Sequence, residues 1–211
     1  MSQPPVRETW AGAACRLVLD RPERGNALSA DMVAAIDDAL ARCEQRGATA
    51  LLIEGEGRHF CTGFDLSGIE QETDDSLLAR FTRIELMLQR LARAPWRTIA
   101  VAHGRAMGAG ADLFAACAVR LVRGDAVFAF PGASGFGLVL GSRRLAALVG
   151  APRASAWILS GQTIDTEAAL ASGLASQRLA HQDELEHVIA QAGTLDPVLQ
   201  SQLRQALAPA A

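Results

Sequence analysis

The sequence contains no lysine and no tyrosine: all 20 of its Lys+Arg residues are arginine. Without lysine there is no Schiff base to a carbonyl or to pyridoxal phosphate, and no Walker-type lysine to hold a nucleotide phosphate. Phenolic acids are excluded with tyrosine. Cysteine is sparse, and Cys15, Cys43, Cys61 and Cys117 form no CxxC pair. Neither a zinc knuckle nor a redox dithiol is suggested, so no metal is expected and the thiols read as reduced, packed side chains. No apolar run is long enough to cross a bilayer, and no basic start leads into an apolar stretch with a small-residue cleavage site. The expectation is a soluble, cytoplasmic chain with no membrane partner. A net charge of -3 with scattered arginines leaves no electrostatic footprint for nucleic acid.

What is present is a sizeable core, since half of the 211 residues are hydrophobic. Short Val-, Ile- and Leu-rich runs at 15–20, 50–54, 98–102, 119–122 and 127–130 predict buried strands. Between them lie helical patterns. Ser29 is placed to cap a helix through about Arg46, with Met32, Val33, Ile36, Ala39, Leu40 and Cys43 on one stripe and Gly47 at its end. A second helix is predicted over 76–93, stopped by Pro95, and shorter ones near 142–149, 152–160 and 166–172, then 183–206 with a break at Asp196-Pro197. Residues 1–140 read as a strand-and-helix core and 141–211 as a helical C-terminal part.

The stretch AHGRAMGAGADLFAACA, 102–118, sets small residues against one carboxylate, Asp112, in an otherwise apolar helical segment. A dinucleotide fingerprint fails on spacing: counted from Gly108 and Gly110, the third glycine falls on Leu113, and counted from Gly104, the second falls on Ala106. What survives is a helix N-terminus opened by small residues, where free N–H groups favour developing negative charge. A second turn, GEGRHFCTGFDL at 55–66, also follows a buried strand. Two such turns can together clamp one thioester oxygen.

RPERGNALS at 21–29, HFCTGFDL at 59–66, AHGRAMGAGADLFAACAVRLV at 102–122, FAFP at 128–131 and LSGQTIDTEAALASGLASQ at 159–177 resemble, in order and spacing, the crotonase (enoyl-CoA hydratase/isomerase) family. The resemblance spans about residues 14–180. It implies an α/β fold, a spiral of ββα turns with a helical C-terminal trimerisation region at 141–211, and a homotrimer or hexamer. It further implies an acyl-CoA substrate held as an enolate by two backbone N–H groups, with coenzyme A entering as part of the substrate and no separate cofactor. Carried over by position, the donors are the N–H groups of Phe64 and Ala109, and Gly63, Gly110 and Gly132 lie at the substrate. Arg24 and Ala27 fall where the family holds the phosphate or adenine part of CoA, and Arg24 suits phosphate by charge. His59 and Cys61 read as strand-end packing.

The pattern breaks at the carboxylates. The hydratase branch uses two glutamates twenty positions apart, which fall here on Asp112 and on Gly132. Hydration needs one group for the water and another for the α proton, so isomerase or decarboxylase chemistry through Asp112 is expected over ordinary hydration. A helix-end carboxylate stabilised by the dipole is the structural alternative for Asp112. The alternative for the whole chain is a non-catalytic crotonase-fold protein that binds CoA esters or another subunit. Only if the unmodified protein hydrates crotonyl-CoA at an enzymatic rate is a second acid to be sought, at Glu70, Glu72 or Asp74. Ile69, Leu77, Phe81 and Phe136 are expected to shape the acyl pocket, and Gly141-Ser142-Arg143-Arg144 to alter its mouth.

Overall fold

A computed structural model describes residues 4–138 and 140–194. Strands β1 (Val6–Ala11) and β2 (Ala14–Leu19) form an antiparallel hairpin at one edge of a six-stranded sheet. β2 then begins a parallel series with β3 (Ala50–Gly55), β4 (Arg97–Met107), β5 (Val119–Ala129) and β6 (Gln177–Leu179), in sequence order across the sheet. Parallel strands need long crossovers, and helices supply them. α1 (Ala30–Gln45) joins β2 to β3, α2 (Asp74–Arg93) joins β3 to β4, and α3 (Ala109–Ala115) joins β4 to β5. The helices α4 (Gly132–Phe136), α5 (Ser142–Val149), α6 (Ala151–Ser160) and α7 (Thr166–Ser172) follow, and α8 (Gln182–Thr194) comes after β6. This mixed α/β architecture agrees with the expected fold class.

Each crossover helix is amphipathic because its apolar residues recur at helical spacing. In α1 the six expected residues from Met32 to Cys43 are all buried, and the Ser29 hydroxyl accepts the Met32 N–H at 3.2 Å. The main core lies between these helices and one face of the sheet, and Leu145, Trp157 and Ala169 from the helices after Gly141, with Ile164 between α6 and α7, join it. On the opposite face a smaller cluster, including Leu52, Ile99, Val101 and Leu121, is covered by Leu185 of α8. Both faces of the central strands are therefore dry, which is why β3 reads as a continuous apolar run.

Several elements depart from the sequence reading. β1 was not expected, because only alternate positions approach the core and one of those inward positions is the charged Glu8. The runs 119–122 and 127–130 are one strand, β5, and the strand at 98–102 continues through the histidine and arginine of AHGRAM to Met107. That extension is held by a second partner: Phe60 N–H donates to His103 O and Cys61 N–H to Arg105 O. α2 starts at Asp74, since Thr73 is its cap and Ser76 closes a reciprocal capping box. α4 was missed because glycine fills two of its five positions. The final helix is described to Thr194, so the break at Asp196-Pro197 and the stretch to 206 lie outside the described residues.

Candidate active site

Two loops meet at the C-terminal ends of β3 and β4. Residues 25–28 run alongside 62–65: Thr62 N–H donates to Gly25 O, Leu28 N–H to Gly63 O, and Asp65 N–H to Leu28 O. In an extended segment successive N–H groups point to opposite sides. Because Asp65 faces Leu28, the N–H of Phe64 faces away, toward the start of α3, and it has no acceptor among the described residues. Buried Asn26 holds this arrangement, accepting from Arg21 N–H at 2.9 Å and donating to Glu56 O and His59 O at 2.9 and 2.8 Å. An Arg21–Asp65 ion pair at 2.8 Å ties the loops together again.

Ala109 is the first residue of α3, so its N–H precedes the helical hydrogen-bond ladder and has no acceptor among the described residues. Gly63, at φ +97, makes the approach of the two turns possible: a Cβ there would stand 2.5 Å from Met107 O and 3.5 Å from Ala109 N. Phe64 and Ala109, whose N–H groups have no acceptor among the described residues, thus border one space.

That space opens into a cavity of about 220 Å³ lined by Gly63, Phe64, Ala109, Asp112 and Gly132. Its wall is apolar. Phe64, Phe81 and Phe136 pack on one another with ring centroids 4.5, 5.3 and 5.8 Å apart, and Arg80 lies over the Phe64 ring at 4.1 Å while donating to Asp65 O. Phe81 and Phe136 shape the cavity as expected, whereas Ile69 and Leu77 do not line it.

Asp112 is mostly buried, one turn into α3, and its carboxyl has no hydrogen-bond partner among the described residues. Desolvation disfavours the charged form. Burial therefore raises its pKa from the ordinary carboxylate value to about 7, with Arg144 opposing the rise and Glu85 adding to it. Gly132 stands in the wall with only hydrogen on its Cα, and a Cβ there would come within 3.1 Å of Leu138 O.

The remaining expected residues are elsewhere. Gly110 does not line the cavity: it lets α3 touch the preceding turn, since a Cβ would fall 2.2 Å from Cys61 O. Arg24 is exposed on the short turn Pro22–Arg24, and buried Ala27 accepts from Arg21 through its carbonyl; neither lines the cavity. His59 accepts Arg105 N–H at Nδ1, and burial with nearby Arg58, Arg105 and His103 lowers its pKa. Cys61 is fully buried and its thiol is pushed up to about 12, so both pack as expected. No group of three metal-ligating side chains occurs, and no helix is long and apolar enough to cross a membrane, among the described residues.

Glu70, Glu72 and Asp74 are corrected by the structure. None lines the cavity, and Glu72 is engaged by Ser76 and Arg80. The second carboxylate in the wall is Glu85 of α2, held by both terminal nitrogens of Arg144 at 2.8 and 2.6 Å. The signal was available: Phe81, Ile84, Glu85 and Leu88 share one stripe of α2, and a carboxylate on the buried stripe of an amphipathic helix calls for a reason.

Comparison with known proteins places this geometry among relatives. The family model described as enoyl-CoA hydratase/isomerase matches residues 10–207. "Probable enoyl-CoA hydratase echA6" of Mycobacterium tuberculosis is 36% identical over 80% of this chain and 68% of its own length. The mouse ethylmalonyl-CoA decarboxylase is 32% identical over 80% of this chain and 53% of its own. The peroxisomal Delta(3,5)-Delta(2,4)-dienoyl-CoA isomerase of Arabidopsis thaliana is 25% identical over 86% and 71%. A Bordetella parapertussis crystal structure titled as an enoyl-CoA hydratase/isomerase is 38% identical and superposes with a TM-score of 0.92, over 99% of this chain and 88% of that one.

Proposed function

Since the chain belongs to the enoyl-CoA hydratase/isomerase family, we propose that it moves a proton on an acyl-CoA thioester through an enolate held by the N–H groups of Phe64 and Ala109, with Asp112 as the proton carrier. The observation that carries this reading is a carboxyl with no hydrogen-bond partner among the described residues, in a mostly apolar wall beside two N–H groups that likewise have none there. With the thioester oxygen between the donors, negative charge developing on that oxygen meets dipoles already in place. A carboxyl titrating near 7 is present in both forms at neutral pH, so it can take a proton at one carbon and return it at another.

Gly132 supplies no second acid, which argues against ordinary hydration and for isomerase or decarboxylase chemistry. The cavity wall favours the first of these. A substrate carboxylate awaiting decarboxylation would enter a space faced by Asp112 and Glu85, whereas an apolar enoyl chain brings no charge to them.

Coenzyme A is read as part of the substrate, with Arg24 toward its phosphates near Ala27. Residues 141–211 are read as the region through which copies assemble into a trimer or hexamer, and the cytoplasm as the location. Proton NMR in D₂O tests the central claim: an enoyl-CoA should lose its α-proton signal in the presence of the protein. Binding of CoA esters by calorimetry with no exchange would replace the enzyme by a binding protein.

A further inference from the structure

The ion pair behind the cavity wall has an unsatisfied donor. Arg144 gives both terminal nitrogens to Glu85, yet its Nε–H is buried and has no partner among the described residues. Both side chains are largely enclosed, with 18% and 19% of their surface exposed. Beside them stands Asp112, a carboxyl also without a hydrogen bond. Gly141, the residue before α5, brings the first turn of α5 onto Asp112: a Cβ at Gly141 would lie 2.1 Å from Asp112 Oδ1. Arg144 is therefore carried by the helix that touches Asp112, and Glu85 by the helix on the facing side. The elements packed on α3 are α2, α5, β4 and β5. The charged groups that face Asp112 are Glu85 from α2 and Arg144 from α5, while β4 and β5 contribute none.

We propose that Arg144 and Glu85 are positioning residues for Asp112: the cation is shared between the two carboxylates, and this division sets the pH at which Asp112 exchanges its proton. In this role both act through Asp112: Glu85 lines the cavity while paired to Arg144, and Arg144 does not line it. While Asp112 is protonated, Glu85 takes the whole guanidinium fork. When Asp112 loses its proton, the idle Nε–H is a donor that a small shift of the guanidinium can turn toward the new charge. The proposal rests on the reading of Asp112 as the proton carrier, but its test does not depend on turnover.

In protein labelled with ¹³C at aspartate carboxyls, the Asp112 resonance is assigned by its absence in Asp112→Asn and titrated in the full chain. Glu85→Gln keeps the shape and removes the competing anion, and should lower the Asp112 midpoint by about one pH unit or more. Arg144→Met should raise it, and Arg144→Lys, which keeps the charge, should return it toward wild type. If Arg144→Met does not fold, Glu85→Gln alone decides. A midpoint in Glu85→Gln that is unchanged or raised overturns the proposal. If the midpoint falls as expected but no variant, wild type included, exchanges α protons, the pair still sets the Asp112 proton while the catalytic reading of Asp112 fails. Where exchange is observed, its pH profile should move with the NMR midpoint.

Discussion

Replacing Asp112 by Asn separates the two things this carboxyl does. Exchange of α protons should fall by about 10² to 10⁴, the usual cost of losing a positioned acid/base group, with CoA-ester binding kept, as a calorimetric titration beside the NMR assay would show. Stability should respond with a definite sign. The native carboxyl titrates near 7, above its unfolded value, so the native state holds a proton that the unfolded chain releases. The stability this contributes is complete below the unfolded pKa and is lost as pH rises through about 7. Denaturant midpoints measured from pH 4 to pH 8 should therefore decline more steeply in wild type than in Asp112→Asn. At Gly132 the complementary change adds a group. Gly132→Glu should bring detectable hydration of crotonyl-CoA, followed by loss of the enoyl absorbance, while wild type shows little. The new Cβ must shift Leu138 O by a few tenths of an ångström, since they would otherwise stand 3.1 Å apart.

At the scale of elements, the informative change is Ala109→Pro. Position 109 opens α3, where proline is tolerated because its missing N–H would have no helical acceptor anyway. The helix should survive by circular dichroism while exchange drops about 10²- to 10³-fold, as for other single oxyanion donors. Retained activity would remove Ala109 from the site. The elements themselves were legible in the sequence where burial is two-sided or strongly periodic: the apolar runs of β3 and the stripe of α1 leave little choice. β1 was not, because its inner positions are few and one of them is the charged Glu8. The continuation of β4 was also hidden, since its pairing with 60–61 is a contact remote in sequence that no local pattern announces. The two donors were legible only through family resemblance, because an N–H carries no side-chain signature. Glu85 and Arg144 come from helices 59 positions apart, and only the packing of α2 and α5 around α3 joins them.

For the whole molecule, the prediction is assembly: light scattering at micromolar concentration should report a trimer or a dimer of trimers, and a stable monomer would refute it. The fold holds the two proposed donors on separate segments, one on the loop braced by residues 25–28 and the other at the start of α3. Because each donor is a peptide group, its presence is indifferent to which side chain occurs at its position, proline excepted. The proton carriers are different, for each is a side chain that a single base change can create or erase. Under the proposed chemistry, substitution at positions 64 and 109 leaves the means of holding an enolate in place, while the fate of that enolate rests on side chains such as Asp112.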